Sequence, residues 1–213
     1  MKCDPKDLLL YAVTDRHWLN GQRLEDVAEE LLAAGVTCLQ LREKHQDPAE
    51  FVRMARALKP ICARYGVPLI LNDAVELAKE VDADGVHVGQ DDMSVARARA
   101  ILGPDKIIGV SAHTVEEALL AEKHGADYLG VGAVFPTSSK DDVDVLPYET
   151  LKAICEAVSI PVVAIGGISQ ENVAKLAGSG ICGVAVISAI YAAKNIQAAA
   201  ADLKSATSEM LKG

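Results

Sequence analysis

Short apolar segments alternate with amphipathic segments along the whole chain. The segments with the pattern of buried strands are residues 8–13, 36–44, 69–71, 85–88, 106–110, 128–131, 161–165 and 183–187. Apolar residues at helical spacing follow each of them, at residues 24–34, 48–65, 74–81, 94–102, 114–124, 148–157, 170–177 and 197–211. This strict alternation, repeating at roughly 25 residues, predicts a single (β/α)8 TIM barrel. An open doubly wound sheet is the alternative, but even units without a shift in composition favour one closed domain over residues 1–213.

The second strand candidate ends in an unusual set of polar residues. With a period of two, Gln40, Arg42 and Lys44 share one face, and Leu41 and Glu43 point the other way. In a parallel sheet covered by helices, the first face looks inward, and charge held there needs a partner of opposite sign. We therefore infer a bound anion, most simply a phosphate. A solvated face would explain the same pattern in an isolated antiparallel strand.

Carboxylates follow the third and fourth strand candidates. Asn72 and Asp73 follow one of them, and Asp91 and Asp92 follow the other. Active sites of such barrels lie at the carboxyl ends of the strands, and two acids beside a phosphate site suggest Mg²⁺. A catalytic acid and base pair is the weaker alternative. Either Asp91 or Asp92 could instead cap the next helix, and residue types alone do not choose between them.

The last strands carry the features of a second anion site. Residues 166–168 and 187–189 place glycine or serine directly after strands seven and eight, where backbone N–H groups bind phosphate in many barrels. The long connection at residues 135–146 adds hydroxyls and one cation, either as a solvated loop or as a lid over substrate. Two anion sites and a lid suggest two small phosphorylated ligands.

Composition limits the remaining possibilities. The net charge of -9 disfavours nucleic acid and anionic membranes as partners. The five scattered cysteines form no CxxC pair, which favours reduced thiols in the cytoplasm and disfavours a zinc site. We expect neither a signal peptide nor a membrane-spanning helix. The histidines show no metal-ligand spacing, His87 reads as a packed residue of the barrel interior, and no nucleophile and base pair is evident.

In order and spacing, the polar motifs resemble those of thiamine phosphate synthases. The resemblance covers nearly the whole chain and rests on residues 40–44, 72–73, 85–92, 109–111, 136–140, 166–168 and 187–188. It implies a transferase that joins hydroxymethylpyrimidine diphosphate to a thiazole phosphate, giving thiamine phosphate and pyrophosphate. The implied mechanism is dissociative, assisted by Mg²⁺, and needs no protein nucleophile. Two positions depart from the family pattern: Ser139 replaces a threonine, and Pro147-Tyr148 stands where a glycine is usual.

The resemblance also implies a role for each matching residue. Residues assigned to the pyrimidine diphosphate are Gln40, Leu41, Arg42, Glu43, Lys44, Asn72, Ser111 and Lys140. Among these, Arg42, Lys44, Ser111 and Lys140 would assist departure of pyrophosphate. Residues assigned to the thiazole phosphate are Thr137, Ser138, Ser139, Gly167, Ile187 and Ser188, and those assigned to Mg²⁺ are Asp73 and Asp92.

Two other functions remain open from the sequence. Related barrels act as thiazole tautomerases, but these carry a histidine after strand six, where this chain has Ala133, and lack the acid that Asp92 matches. The chain could also be a non-catalytic binder of phosphorylated metabolites, although the cation Lys140 and two acids together favour catalysis. The sequence leaves the oligomeric state open, a homo-oligomer included.

Overall fold

A closed barrel of eight parallel strands forms the centre of the molecule. The computed structural model describes residues 3–19, 21–43, 47–137 and 144–213. The strands, β1 to β8 in chain order, are Leu10–Val13, Cys38–Leu41, Leu69–Asn72, Gly85–Val88, Ile107–Ala112, Tyr128–Val131, Val162–Ile165 and Gly183–Val186. Each strand pairs in parallel with the next, and β8 pairs with β1. The predicted (β/α)8 fold is confirmed.

Helices surround the barrel and connect its strands. They are α1 to α8 in chain order: Leu24–Ala33, Pro48–Tyr65, Val75–Val81, Val95–Leu102, Val115–Lys123, Tyr148–Ala157, Ser188–Tyr191 and Ile196–Met210. Local sequence explains their ends. Asp47 caps α2 through its side chain and Pro48 occupies its first turn, while Gly66 ends it with a φ of 65°. None of the helices in the described ranges is long and apolar enough to cross a membrane.

The helix predicted over residues 170–177 is wrong. The chain forms only a 3-10 helix there, Val173–Leu176. The side chain of Asn172 explains the difference, because its Oδ1 accepts from the Ser169 N–H at 2.8 Å and its Nδ2 donates to the Gly167 carbonyl at 2.8 Å. Asparagine that bonds to nearby backbone in this way stabilises a turn in place of a helix.

Strand residues pack on both sides of the sheet. Leu39 and Leu41 belong to the large outer core between strands and helices, whereas Cys38 and Tyr11 belong to a smaller core inside the barrel. Burial on both faces explains why the strands read as nearly continuous apolar runs. Polar residues are left to the ends of the strands, where a cavity opens into the barrel interior.

A buried threonine joins the ends of β1 and β2. Thr14 is fully buried, and its N–H donates to the Gln40 carbonyl at 2.9 Å. Its hydroxyl accepts from the Arg42 N–H at 2.9 Å and lies 3.3 Å from the Arg42 carbonyl. The backbone of Arg42 is therefore held in place beyond the last residue of β2.

The adjacent carboxyl group, that of Glu43, is half-buried beside the same threonine. Its Oε1 lies 3.5 Å from the Thr14 hydroxyl. Burial raises the pKa of Glu43 to about 7, and Asp15 adds to this, while the nearby cations Arg16 and Arg42 act in the opposite direction. Glu43 thus binds a proton in the folded protein at pH values where an unfolded chain would have lost it.

Replacement of Thr14 by valine should destabilise the barrel while keeping side-chain shape. The Arg42 N–H would lose its acceptor in a buried place, which costs on the order of 1–3 kcal/mol. Urea unfolding of Thr14→Val, with Thr14→Ser as the control that keeps the hydroxyl, measures this loss. Equal unfolding free energies for the two variants would contradict the role given to the hydroxyl.

Glu43→Gln should change how stability depends on pH. Because the pKa of Glu43 is about 7 in the folded protein against an ordinary 4.5, the wild-type free energy of unfolding falls as pH rises through this window. Glutamine cannot titrate, so the variant should lose this part of the fall. Denaturant unfolding of both proteins at pH 5 and pH 8 tests it, and identical pH dependence in the two would count against the buried, protonated carboxyl group.

Candidate active site

The carboxyl ends of the strands surround a cavity of about 430 Å³. Parallel strands in a closed barrel all end at the same rim, so residues far apart in sequence meet there. Residues from β1 to β8 or the turns after them line it. Those at its polar side are Gln40, Arg42, Asn72, Asp73, His87, Gln90, Asp91, Asp92, Ser111 and His113.

The end of β2 contributes two of the five residues predicted from the sequence. Gln40 and Arg42 line the cavity. Leu41 does not, because it faces the helices and is fully buried in the outer core. Glu43 also turns away, towards Thr14. Leu41 and Glu43 therefore do not line the cavity, for the period-two reason that separates their side chains from the inward face, and their assignment to the pyrimidine diphosphate stays a prediction. Lys44 lies outside the described residues.

Two carboxyl groups meet beside the end of β2, after β3 and β4. Asp73, directly after β3, has a left-handed backbone with a φ of 61°, which aspartate adopts more readily than most residues. Asn72 Nδ2 donates to its Oδ2 at 2.5 Å. Asp92 is anchored by the Gly89 N–H, which donates to Oδ2 at 2.8 Å. Burial raises the pKa of Asp73 to about 6, and a hydrogen bond and charge repulsion from Asp92 add to the effect.

This contact distinguishes the two acids after β4 by their position. Asp92 is the one that meets Asp73, although Asp91 also lines the cavity. Two carboxylates at such short range repel each other when both are ionised, and either a proton or a cation relieves the repulsion. Arg42 supplies one nearby positive charge and lowers the pKa of Asp73. The donor set suits a hard divalent cation with oxygen ligands.

A chain of hydrogen bonds crosses the floor of the cavity. Gln40 Nε2 donates to the Tyr11 hydroxyl at 2.7 Å, and that hydroxyl lies 2.8 Å from the Tyr128 hydroxyl. His87 continues the chain, with Nδ1 2.9 Å from the Tyr128 hydroxyl and Nε2 2.9 Å from Ser111 Oγ. Both tyrosines are fully buried. The predicted interior position of His87 is confirmed, but the histidine is hydrogen-bonded and faces the cavity.

Glycines on neighbouring strands make room for these rings. Gly109 pairs with both His87 and Tyr128 across the sheet, and a Cβ there would lie 2.1 Å from the Tyr128 ring. Gly130 is opposite Ser111, and a Cβ there would lie 3.0 Å from His87 Cε1. Small residues on β5 and β6 thus allow large polar rings to share one layer of the barrel.

Sequence reasoning missed several cavity residues. Tyr11 lines the cavity and Tyr128 is fully buried next to it, but neither belongs to a motif; Gln90, whose Nε2 donates to the Ser111 carbonyl at 2.6 Å, belongs to a motif without an assigned role. The period of two could have found Tyr11, since its neighbours Leu10 and Ala12 both read as helix-facing positions. The Ser111 and His87 contact also went unnoticed, because it joins residues on different strands.

The ends of β7 and β8 form the other side of the cavity from backbone and small residues. Gly166, Gly167, Ile187 and Ser188 all line it. Gly167 has a φ of 63°, and a Cβ at this position would lie 2.3 Å from the Pro136 carbonyl oxygen. Only glycine therefore fits where this turn passes under the connection that follows β6. Asn172, missed in the sequence, holds the Gly167 carbonyl at 2.8 Å.

The connection after β6 is described only in part. Thr137, which the resemblance assigns to the thiazole phosphate, lines the cavity, while Ser138, Ser139 and Lys140 lie outside the described residues. Ala133, where a tautomerase would carry histidine, also lines the cavity. Farther along the chain, Tyr148 begins α6 and its hydroxyl donates to the Ala177 carbonyl at 2.7 Å.

The cavity has two chemically different sides. Charged and polar side chains on one side can bind ions, and backbone groups after β7 and β8 on the other side can bind a ligand through hydrogen bonds. Ser111 and His87 are within hydrogen-bond distance, as in a nucleophile and base pair. The other nitrogen of His87, however, faces the phenol of Tyr128, whose pKa burial raises well above its ordinary value. A neutral phenol gives an imidazolium no opposite charge, so the pair is poorly suited to activating serine.

Comparison with known proteins identifies the family. A family model described as thiamine monophosphate synthase matches residues 10–190. The thiamine-phosphate synthase of Clostridium tetani is 50% identical over 197 residues, covering 92% of this chain and 94% of that protein. The thiamine-phosphate synthase of Methanobrevibacter smithii is 48% identical over the same length, with the same coverage.

Solved structures agree with the sequence relatives. Thiamine phosphate pyrophosphorylase from Pyrococcus furiosus matches with a TM-score of 0.88 and 39% identity, covering 97% of this chain and 98% of that one. A 3-hexulose-6-phosphate synthase shares the fold alone, with a TM-score of 0.65 and 17% identity. The chain belongs to the thiamine-phosphate synthase family, whose members condense a pyrimidine and a thiazole into thiamine phosphate.

Proposed function

We propose that the cavity at the barrel mouth binds hydroxymethylpyrimidine diphosphate and a thiazole phosphate together and joins them, with Mg²⁺ as the cofactor. The observation that carries this proposal is the contact of Asp73 with Asp92 in the same cavity as Arg42 and Ser111. Two acids can bind a metal ion, and a cation and a hydroxyl can bind the diphosphate that the metal ion also contacts. The backbone turn on the far side leaves a separate place for a second phosphate.

The diphosphate lies against the side of the cavity formed by β2, β3 and β5. Arg42 binds it through its guanidinium group, and Asn72 and Ser111 donate hydrogen bonds to its oxygens. Gln40, at the floor, orients the pyrimidine ring. From the family resemblance, Lys44 and Lys140 add positive charge to the same group.

Asp73 and Asp92 hold Mg²⁺. Their fit to the ion rests on their contact and on the raised pKa of Asp73, which partial burial and the adjacent carboxyl group of Asp92 both raise. Mg²⁺ typically takes one or two carboxylates and completes its ligands with water and phosphate oxygens. When bound, the ion supplies positive charge beside the oxygens of the leaving diphosphate.

The reaction is a dissociative substitution. The bond between the pyrimidine methylene carbon and the diphosphate oxygen breaks, and pyrophosphate leaves with both electrons. The electron-rich aminopyrimidine stabilises the methylene cation until the thiazole nitrogen donates its lone pair to that carbon. Arg42 stabilises the charge that develops on pyrophosphate, and the cavity walls hold the acceptor in line and exclude water.

The thiazole phosphate lies on the side of the cavity formed after β6, β7 and β8. The backbone at Gly167, Ile187 and Ser188 binds its phosphate, since close approach of the chain at Gly167 leaves the N–H groups accessible. Thr137 binds the thiazole, and the resemblance assigns Ser138 and Ser139 to the same ligand.

Coupling of the rings is favoured over tautomerisation or simple binding. A tautomerase would carry a histidine at Ala133, and neither it nor a simple binder needs the Asp73 and Asp92 pair. We also place the enzyme in the cytoplasm. All five cysteines are free, which suits a reducing compartment.

Release of pyrophosphate from purified protein tests the proposed function. The assay contains hydroxymethylpyrimidine diphosphate, a thiazole phosphate and Mg²⁺, and each component is omitted in turn. Release that requires all three, with thiamine phosphate as the co-product, supports the proposal. Binding of both substrates without release would overturn it.

Asp92→Asn should raise the Mg²⁺ concentration needed for half-maximal turnover and slow turnover at saturating substrate. The amide keeps the shape of the side chain but removes the negative charge that faces Asp73. A loss of tenfold or more, about 1.4 kcal/mol, is expected for a metal ligand.

Asp91→Asn is the matched control for this prediction, because Asp91 is adjacent in sequence but its carboxyl group is not the one that meets Asp73. It should change the Mg²⁺ requirement much less. A larger effect of the Asp91 variant than of the Asp92 variant would contradict the proposal that Asp92 is the metal ligand.

A further inference from the structure

The five side chains on the cavity floor form a continuous chain of hydrogen bonds between the two ends of one ligand site. Gln40 lies at one end and Ser111 at the other, with Tyr11, Tyr128 and His87 between them. The four separations are 2.7, 2.8, 2.9 and 2.9 Å, all within ordinary hydrogen-bond range. Each contact therefore holds one proton, and its direction can be worked out by counting.

The count starts from Gln40, whose Nε2 can only donate. Tyr11 accepts that hydrogen bond, and its own proton goes to the Tyr128 hydroxyl, because the other acceptor beside it, the Cys38 sulfur, is a weak one. Tyr128 in turn has one proton, which it donates to His87 Nδ1. Burial raises the pKa of both phenols well above the ordinary value, so neither loses its proton in this sequence of contacts.

A neutral histidine carries one N–H, and an Nδ1 that accepts leaves this proton on Nε2. His87 Nε2 then donates to Ser111 Oγ. Ser111 therefore accepts from the histidine and keeps its own hydroxyl proton for another acceptor. Since Ser111 lines the cavity, that acceptor is a ligand oxygen there.

The reverse order of protons is also self-consistent, but it places the wrong group towards an anion. Ser111 would donate to His87, and His87, Tyr128 and Tyr11 would each donate back along the chain to a Gln40 oxygen. The serine would then present only lone pairs to the ligand, which repel a diphosphate oxygen. The orientation of the Gln40 amide and the charge of the ligand both favour the first order.

We propose that Tyr128 and His87 are positioning residues that fix the Ser111 hydroxyl as a hydrogen-bond donor to the diphosphate. The inference rests on the proposed function for the identity of the ligand. The same order of protons also fixes the Gln40 amide at the other end of the pyrimidine diphosphate site. Because its Nε2 donates to Tyr11, its Oε1 points away from Tyr11. Recognition at the floor and hydrogen bonding to the diphosphate are thereby linked through one chain.

The tautomer of His87 tests the proposal without any assay of activity. Protein with ¹⁵N in its histidine rings is examined by NMR, alone and with Mg²⁺ and inorganic pyrophosphate, and the His87 signals are assigned by their loss in His87→Gln. The proposal expects one neutral tautomer protonated on Nε2. A ring protonated on Nδ1, or on both nitrogens with pyrophosphate bound, would overturn it.

Tyr128→Phe removes the group that donates to Nδ1 while keeping the ring. The expected result is loss of the single tautomer and roughly tenfold lower kcat/KM for the pyrimidine diphosphate, with the KM for thiazole phosphate unchanged. Tyr191→Phe is the matched control. Tyr191 is buried near the same barrel end, and its hydroxyl has no hydrogen-bond partner among the residues the structure describes.

The control variant should keep the wild-type tautomer and activity. An unchanged His87 tautomer in a folded Tyr128→Phe protein would overturn the proposal. If this variant does not fold, the wild-type spectrum alone still decides the direction of the hydrogen bonds between Gln40 and Ser111. If the wild type makes no thiamine phosphate but His87 has the expected tautomer, the proposed function fails alone. If it is fully active with the other tautomer, the inference fails alone.

Discussion

The closed parallel barrel imposes one constraint on every strand: successive side chains must point alternately to the helices and to the interior. The interior is narrow, and most of its positions are apolar or small. Polar side chains that point inward therefore have few neighbours apart from one another. Gln40, Tyr11, Tyr128, His87 and Ser111 come from five different strands, yet each finds a partner inside the barrel.

The same constraint concentrates charge at the carboxyl ends of the strands. Asp73 is held in a left-handed conformation and Asp92 by a backbone N–H, so neither acid can simply turn away from the other. Burial, together with the adjacent Asp92, raises the pKa of Asp73, and Arg42 offsets only part of this effect. In the proposed function, a divalent cation and a diphosphate that bind together would stabilise this site, because the positive charge of the cation offsets the negative charges of the carboxylates and of the diphosphate.

Glycine has a different task at each side of the cavity. Gly109 and Gly130 leave space for the rings of Tyr128 and His87, and Gly167 lets the chain pass against the Pro136 carbonyl. On one side small residues allow side-chain recognition, and on the other they expose backbone. The two sides can therefore hold two chemically different ligands a short distance apart, which a condensation between them requires.

The sequence by itself determined the barrel and most of the cavity. Periods of two and 3.6 are local properties of the chain, so strands, helices and the inward positions of Gln40 and Arg42 could be read without coordinates. The motifs also identified the family, and relatives of high identity confirm it. Local pattern failed where a side chain competed with the backbone, as Asn172 does in the segment predicted as a helix at residues 170–177.

Only the tertiary structure decided which groups touch. It paired Asp92 with Asp73, excluded Leu41 and Glu43 from the cavity, and connected Ser111 through His87 to two buried tyrosines. These outcomes depend on distances between residues on different strands, which are fixed when the barrel closes. Sequence spacing predicts the face of the sheet on which a residue lies, but it does not predict which atom of another strand the side chain contacts.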